Sequence, residues 1–176
     1  MSDTLITIIA IFLAAVLMFI FPLISVSDRN DDISQTAIQT STVQYVDKIR
    51  NTGKISYSDY SKFEQTLNAT GNKYEIEMEL KSLDENLAKK TSNTSYTKIG
   101  ENVYYTIYTS QIMDQLTANS NKTLALKEGD IISVSVKNTN TTISQSLKNF
   151  FYRVSGNNNY QVSAQHGGLV TVNGTN

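Results

Sequence analysis

Leu5–Val26 reads LITIIAIFLAAVLMFIFPLISV, and this stretch decides how the rest of the chain is organised. It holds no charged side chain, and its only hydroxyl side chains are Thr7 and Ser25. A helix needs about 20 apolar residues, each rising 1.5 Å, to cross the hydrocarbon core of a bilayer. The stretch meets that length. A soluble core helix would show a polar stripe at helical spacing, and none is present. The reading is a single membrane-inserted helix. Pro22, the only proline of the chain, falls inside it and removes one helical hydrogen bond.

Outward from this segment the flanks carry little charge bias. Met-Ser-Asp-Thr precedes it with no Lys or Arg, and SDRNDD follows it with Arg29 among three Asp residues. A cleaved signal peptide calls for a basic start, a shorter apolar run and a small-x-small site, so an intact anchor is expected. The positive-inside rule gives almost no orientation here. The short N-terminal tail and the Asn/Thr/Ser-rich remainder favour the N-terminus inside and the C-terminal part outside.

Beyond the anchor the pattern is that of an α+β domain. Ile38, Thr42, Tyr45, Val46 and Ile49 recur at spacings of three and four, and Gly53 follows Lys48 and Arg50 as a helix stop. No Gly or Pro lies between Pro22 and Gly53, so the membrane helix is expected to run on as one long spine. A second helix starts at Ser56 or Ser58 as N-cap, buries Tyr60, Phe63 and Leu67, and ends before Gly71. KYEIEMELK alternates strictly, with Tyr74, Ile76, Met78 and Leu80 on one face and Glu75, Glu77, Glu79 and Lys81 on the other.

Residues 84–100 read as a polar loop, with a short helix as the alternative within it. Val103–Tyr108 reads as a strand, TSQIMDQLTAN as a helix, and Asp130–Lys137 as a strand burying Ile132, Val134 and Val136. Thr141 or Thr142 caps a helix carrying Ile143, Leu147, Phe150, Phe151 and Val154 and ending at Gly156. Tyr160–Ala164 and Leu169–Val172 read as a hairpin turning at Gly167-Gly168, with VNGTN a frayed tail. The expected domains are a transmembrane or filament-core helix at 1–27, a helical stalk at 28–53 and an extracytoplasmic head at 54–176 with an antiparallel sheet.

Few residues of the chain are suited to chemistry. Fifteen basic against 16 acidic side chains give a net charge of −1, and the cations are scattered, so nucleic acid is not an expected partner. No cysteine is present, which excludes disulfides and thiolate metal sites. His166 is the only histidine and reads as a surface turn residue. No G-x-S-x-G, phosphate-binding or dinucleotide motif occurs. Glu75, Glu77 and Glu79 read as a solvated strand face rather than a calcium site. Asp28, Asp31 and Asp32 read as a solvated juncture rather than a cation site near the lipid headgroups. No catalytic, cofactor-binding or metal residue is assigned, and no enzyme activity is expected. Ten tyrosines on an Asn/Thr-rich background suit subunit packing or sugar contact.

The layout resembles type IV pilin-like proteins, in which an apolar N-terminal helix continues as an exterior spine under a small α/β head. LITIIAIFLAAVLMFIFP is similar to their apolar segment, with Pro22 near the place of a proline they often carry. VQYVDKIRNTGKISYSDYSKFEQTLNATGNKYEIEME resembles pilin-like proteins of clostridial, Gram-positive bacteria that accompany tight-adherence (type IVc) pilus machinery. The resemblance covers roughly the first eighty residues. It implies that Leu5, Ile9, Ala10, Ala14, Ala15, Phe19 and Pro22 form the membrane and assembly set, the alanines allowing close helix approach. It further implies partners among membrane lipid, copies of the chain or related subunits, and secretion platform proteins.

Two features depart from the family pattern. Family members are processed after a short basic leader, and none precedes the run here, so an already processed chain or a non-classical member is expected. The usual acidic residue at the fifth mature position is missing, and Asp3 is the candidate assembly carboxylate. The expected function is a structural subunit of a surface filament or of a type IV pilus or type II secretion-like apparatus. The alternative is an anchored extracytoplasmic binding or sensor module that does not polymerise.

Overall fold

The computed structural model describes residues 2–83, 104–141, 145, 146, 149 and 162–175. Helix α1 spans Ser2–Thr52, 51 residues without a break. At 1.5 Å per residue it is about 77 Å long. The polar SDRNDD juncture stays helical because it contains neither Gly nor Pro, and Pro22 is carried inside the helix. Gly53 ends α1 in a left-handed conformation, φ 65°, donating its N–H to the Ile49 carbonyl at 2.8 Å. The chain then runs β1 (Lys54–Ser56), α2 (Tyr57–Asn68), β2 (Tyr74–Leu83), β3 (Tyr104–Tyr108), α3 (Thr109–Ala118), β4 (Thr123–Ala125), β5 (Ile131–Asn138) and β6 (Ser163–Leu169).

The fold is α+β. Four antiparallel strands lie in the order β3-β2-β5-β6, and β1 pairs with β4 in a separate two-stranded sheet. Alternation in the sequence becomes two faces. Met78, Leu80, Ile132, Val134, Val136 and Ala164 turn inward, where Ile38, Tyr45, Val46 and Ile49 of α1 meet them. Phe63 and Leu67 of α2 and Ile112 and Leu116 of α3 complete the same core. Each fully buried aliphatic side chain here contributes about 1.5–3 kcal/mol relative to exposure. The Tyr45 ring stacks on Phe63 with centroids 4.5 Å apart and planes 4° from parallel. Thr42, expected on the buried stripe, is buried and returns its hydroxyl to the Ile38 carbonyl at 2.7 Å.

Several expectations need correction. Gly167 and Gly168 do not turn a hairpin; both lie within the single strand β6. Their use is close approach. A Cβ on Gly168 would sit 2.6 Å from Arg50 Nε, and one on Gly167 would sit 3.0 Å from the Ile132 carbonyl oxygen. His166 is therefore a strand residue, opposite Val134, with Nε2 3.4 Å from Asp47 Oδ1. Asn173 and Gly174 of the tail are tied down rather than frayed. Gly174 donates to the Leu126 carbonyl at 2.8 Å, and Asn173 Oδ1 accepts the Glu128 N–H at 2.8 Å. Asp31 is only 1% exposed because it falls on the head-facing stripe with Ser34 and Ile38, while Asp32 is exposed.

Ser56 takes the N-cap position of α2, but its side chain makes no capping bond. The Lys122 carbonyl receives the Tyr57 N–H at 3.0 Å instead, because β4 pairs beside β1. The polar stretch 84–100 and the hydrophobic positions expected of the 142–156 helix, Ile143, Leu147, Phe150, Phe151 and Val154, lie outside the described residues. Gln145, Ser146 and Asn149 within that stretch are helical.

Candidate anchoring and assembly surface

The two halves of α1 differ in what covers them. From Leu5 to Val26 nearly every large apolar side chain is exposed, Met18 at 77%, whereas Ile38 and Val46 in the second half are 0% exposed. One helix therefore carries about 30 Å of uncovered hydrocarbon and, continuous with it, a stripe sealed into the head. By length and composition it is able to cross a membrane. Bare apolar surface on this scale marks a membrane or association surface rather than a water-facing one.

The second half is fastened by polar bonds to the outer edge of β6 as well as by packing. Gln35 reads Ser163 like a neighbouring strand: its Nε2 donates to the Ser163 carbonyl at 2.7 Å, and its Oε1 accepts the Ser163 N–H at 3.2 Å. Arg50 Nε donates to the Leu169 carbonyl at 2.9 Å, and the Thr171 N–H donates to the Arg50 carbonyl at 3.0 Å. An edge strand is a liability when its backbone groups are unpaired, and the spine supplies partners at its two ends, Ser163 and Leu169. Arg50 also pairs with Asp47 at 2.8 Å, and the Lys48 ammonium reaches Asp59 on α2 at 2.6 Å.

Leu5, Ile9, Ala10, Ala14, Ala15, Phe19 and Pro22 are all exposed on α1, as is Asp3 in its first turn. They do not share one face. At about 100° per residue, Leu5, Ile9 and Phe19 fall on one side while Ala10 and Ala14 fall on the other. Asp3 accepts the Thr7 hydroxyl through its backbone carbonyl at 2.8 Å.

A longer pattern emerges once exposure is known. Ala15, Phe19, Pro22, Val26, Arg29, Ile33, Thr36 and Thr40 are all exposed and alternate spacings of four and three. That spacing keeps them on one side of α1, where Ile33 continues the apolar series beyond Val26. This side of α1 lies away from the buried stripe. Its outer part is a shallow trough of about 560 Å³ lined by Arg29, Asp32, Ile33, Thr36, Ala37, Thr40 and Ser41. Sequence reasoning stops the apolar surface at Val26 because the juncture is charged. The signal that it continues is Ile33 and Ala37 in phase with Phe19 and Val26.

Among the described residues no group of three or more His, Asp or Glu side chains is arranged to hold a metal ion. Burial pushes the Tyr45 hydroxyl far above the usual tyrosine range, with Tyr60 and Asp59 adding to the shift. The Tyr45 hydroxyl donates to the Met78 sulfur at 3.8 Å, its one partner among the described residues, so this is a packing tyrosine.

The combination is a pilin-like architecture: a long apolar N-terminal helix packed against an antiparallel sheet. Compared with known proteins, the chain matches no family model, no curated protein and no solved structure.

Proposed function

We propose that the chain is a pilin-like or pseudopilin-like structural subunit of a surface filament or of a type II secretion-like apparatus. The N-terminal half of α1 holds the subunit in the cell membrane, with the head outside. The tight-adherence type of pilus machinery of Gram-positive bacteria is the apparatus that the resemblance favours. Assembly exchanges lipid contact on the exposed half of α1 for contact with the same half of neighbouring subunits. Small side chains at Ala10, Ala14 and Ala15 allow close approach in that setting.

The observation that carries this reading is the single unbroken helix, bare and apolar for its first half and sealed into the head for its second. A plain anchor needs only the apolar span. Beyond the span Ile33 stays exposed on the side of α1 turned away from the head, apolar surface that an isolated anchor has no use for. Asp3, exposed at the start of α1, is the candidate carboxylate for contact with a neighbour's amino terminus.

Electron microscopy of sheared cell surfaces, with antibody against the head, tests the reading. Label along fibres is the expected result. Label confined to the cell membrane would instead support an anchored module that does not polymerise.

A further inference from the structure

The outward face of the four-stranded sheet is not the flat carboxylate ledge that its sequence suggests. Strand register sets two cross-strand rows side by side: Tyr108–Glu79–Ser133–Gly167 and Glu77–Ser135–Gln165. Ser133, Ser135 and Gly167 are the small members and form a floor. Gly167 has its strand drawn against β5, where a Cβ would press on Ser133 at 3.2 Å. Tyr108, Glu77, Glu79, Lys137 and Gln165 stand around that floor. The result is a groove of about 670 Å³, lined entirely by described residues.

The groups around the groove narrow what fits it. It offers hydroxyl, amide, ammonium and carboxylate groups on rigid strands, donors and acceptors alternating about 5 Å apart between strands. Glu77 accepts from the Lys137 ammonium at 2.9 Å, and this bond holds Lys137 above the usual lysine range. Glu79 takes Lys81 at 3.4 Å. The carboxylates are thus locally neutralised, yet each keeps spare lone pairs. An anion would face two carboxylates. A divalent cation would have to displace the lysines. A lipid chain would find no apolar floor. A peptide strand adds at a sheet edge, and where the groove reaches the edge of β2 the Met78 N–H is already taken by the Thr109 hydroxyl at 2.7 Å.

What remains is a ligand rich in neutral hydroxyl groups, able to give and accept hydrogen bonds at close intervals. The exposed ring of Tyr108 at the rim supplies an apolar plate beside those polar groups. We infer that the outer sheet face of the head is a binding groove for a neutral saccharide, with Glu77, Glu79, Ser133, Ser135, Lys137 and Gln165 hydrogen-bonding its hydroxyls and Tyr108 packing on its ring. The inference stands apart from assembly: a head that never enters a filament carries the same groove.

The test uses the full chain in lipid nanodiscs, because sugar-headed detergents would compete for the site. An immobilised panel of neutral glycans (mannan, galactan and N-acetylglucosamine oligomers) is probed alongside sialylated and sulfated ones. Retention on at least one neutral glycan is expected. Ser135→Leu fills the floor without touching the core and is expected to weaken that retention by about tenfold or more. Glu77→Gln and Gln165→Ala, which leave the floor intact, are expected to weaken it severalfold while the melting temperature of the head is unchanged. Glu75→Gln, outside the groove, is expected to have no effect. No neutral glycan retained, retention of the acidic glycans alone, or retention indifferent to both Ser135→Leu and Glu77→Gln would each overturn the inference.

Discussion

The contact between Arg50 and Gly168 makes the attachment of spine to sheet measurable. In Gly168→Ala the new methyl would fall 2.6 Å from Arg50 Nε and 2.7 Å from its Cζ, so the guanidinium must leave. It then gives up its bond to the Leu169 carbonyl at 2.9 Å and its pair with Asp47 at 2.8 Å. The first is worth about 1–1.5 kcal/mol. The second joins side chains 30% and 42% exposed and is worth about 0.5 kcal/mol after solvent screening. Alanine returns about 0.5–1 kcal/mol by restricting the unfolded chain. The net expectation is a loss of about 1 kcal/mol, or about 3–5 °C in melting temperature.

In an Arg50→Ala background the three atoms nearest that methyl, Arg50 Nε, Cζ and Cδ, are gone. There Gly168→Ala is expected to be neutral or to stabilise by about 0.5 kcal/mol, giving a coupling of about 1.5 kcal/mol between the two positions. Urea unfolding of the full chain in nanodiscs, followed by near-ultraviolet circular dichroism of the head tyrosines, reads all four corners of the cycle. Gly167→Ala is the internal control. Its methyl would meet the β5 backbone, and removing Arg50 gives no relief. Additivity of Gly168→Ala and Arg50→Ala within about 0.3 kcal/mol would refute the reasoning.

Further outcomes are expected elsewhere in the fold. Gln35→Ala strips both side-chain bonds from the Ser163 backbone; it is expected to cost about 1–2 kcal/mol and to speed hydrogen exchange at the Ser163 amide before the rest of β6. Tyr45 has its folded pKa raised above the unfolded value of 10.0, so its contribution is full below about pH 10 and is lost as pH climbs beyond it. Tyr45→Phe is therefore expected to flatten the alkaline loss of head stability, while changing it by under about 1 kcal/mol at pH 7, since only a 3.8 Å contact to sulfur is removed. Deleting residues 173–176 removes the bonds to Glu128 and Leu126 and is expected to lower stability by about 1–3 kcal/mol in thermal melts. The chain lacks cysteine, so single substitutions report contacts directly: Ile33→Cys on the exposed apolar side of α1 is expected to form disulfide dimers in cells, and Gln39→Cys, exposed but off that side, is not.

Much of this fold was legible in the sequence because period and burial agree. The apolar run and the stripe Ile38–Thr42–Tyr45–Val46–Ile49 lie on one helix with no breaker, so the spine could be read through the charged juncture. The alternations Tyr74–Leu80 and Ile132–Val136 could only be strands with one wet face. The failures cluster where a tertiary neighbour sets a residue's role. Gly167-Gly168 looks like a turn until Arg50 and Ser133 are seen to occupy the space their side chains would take. Asp31 looks solvated until the register of α1 turns it toward the head. VNGTN has tail composition, yet Asn173 and Gly174 find partners in residues 126–128, far off in the sequence. The exposed apolar side of α1 was half visible: Phe19 and Val26 lie in the apolar run, but Arg29 in the same phase hid its continuation to Ile33.

Membrane anchoring and filament assembly both require that the first half of α1 cannot face water. The most direct measurement is flotation of the full chain with liposomes through a density gradient after alkaline extraction, beside a chain beginning at Asp28. The full chain is expected to float with lipid or to sediment as an assembled bundle. A full chain that stays at the bottom of the gradient as a soluble monomer, indistinguishable from the shortened one, would contradict the membrane anchor and the filament together.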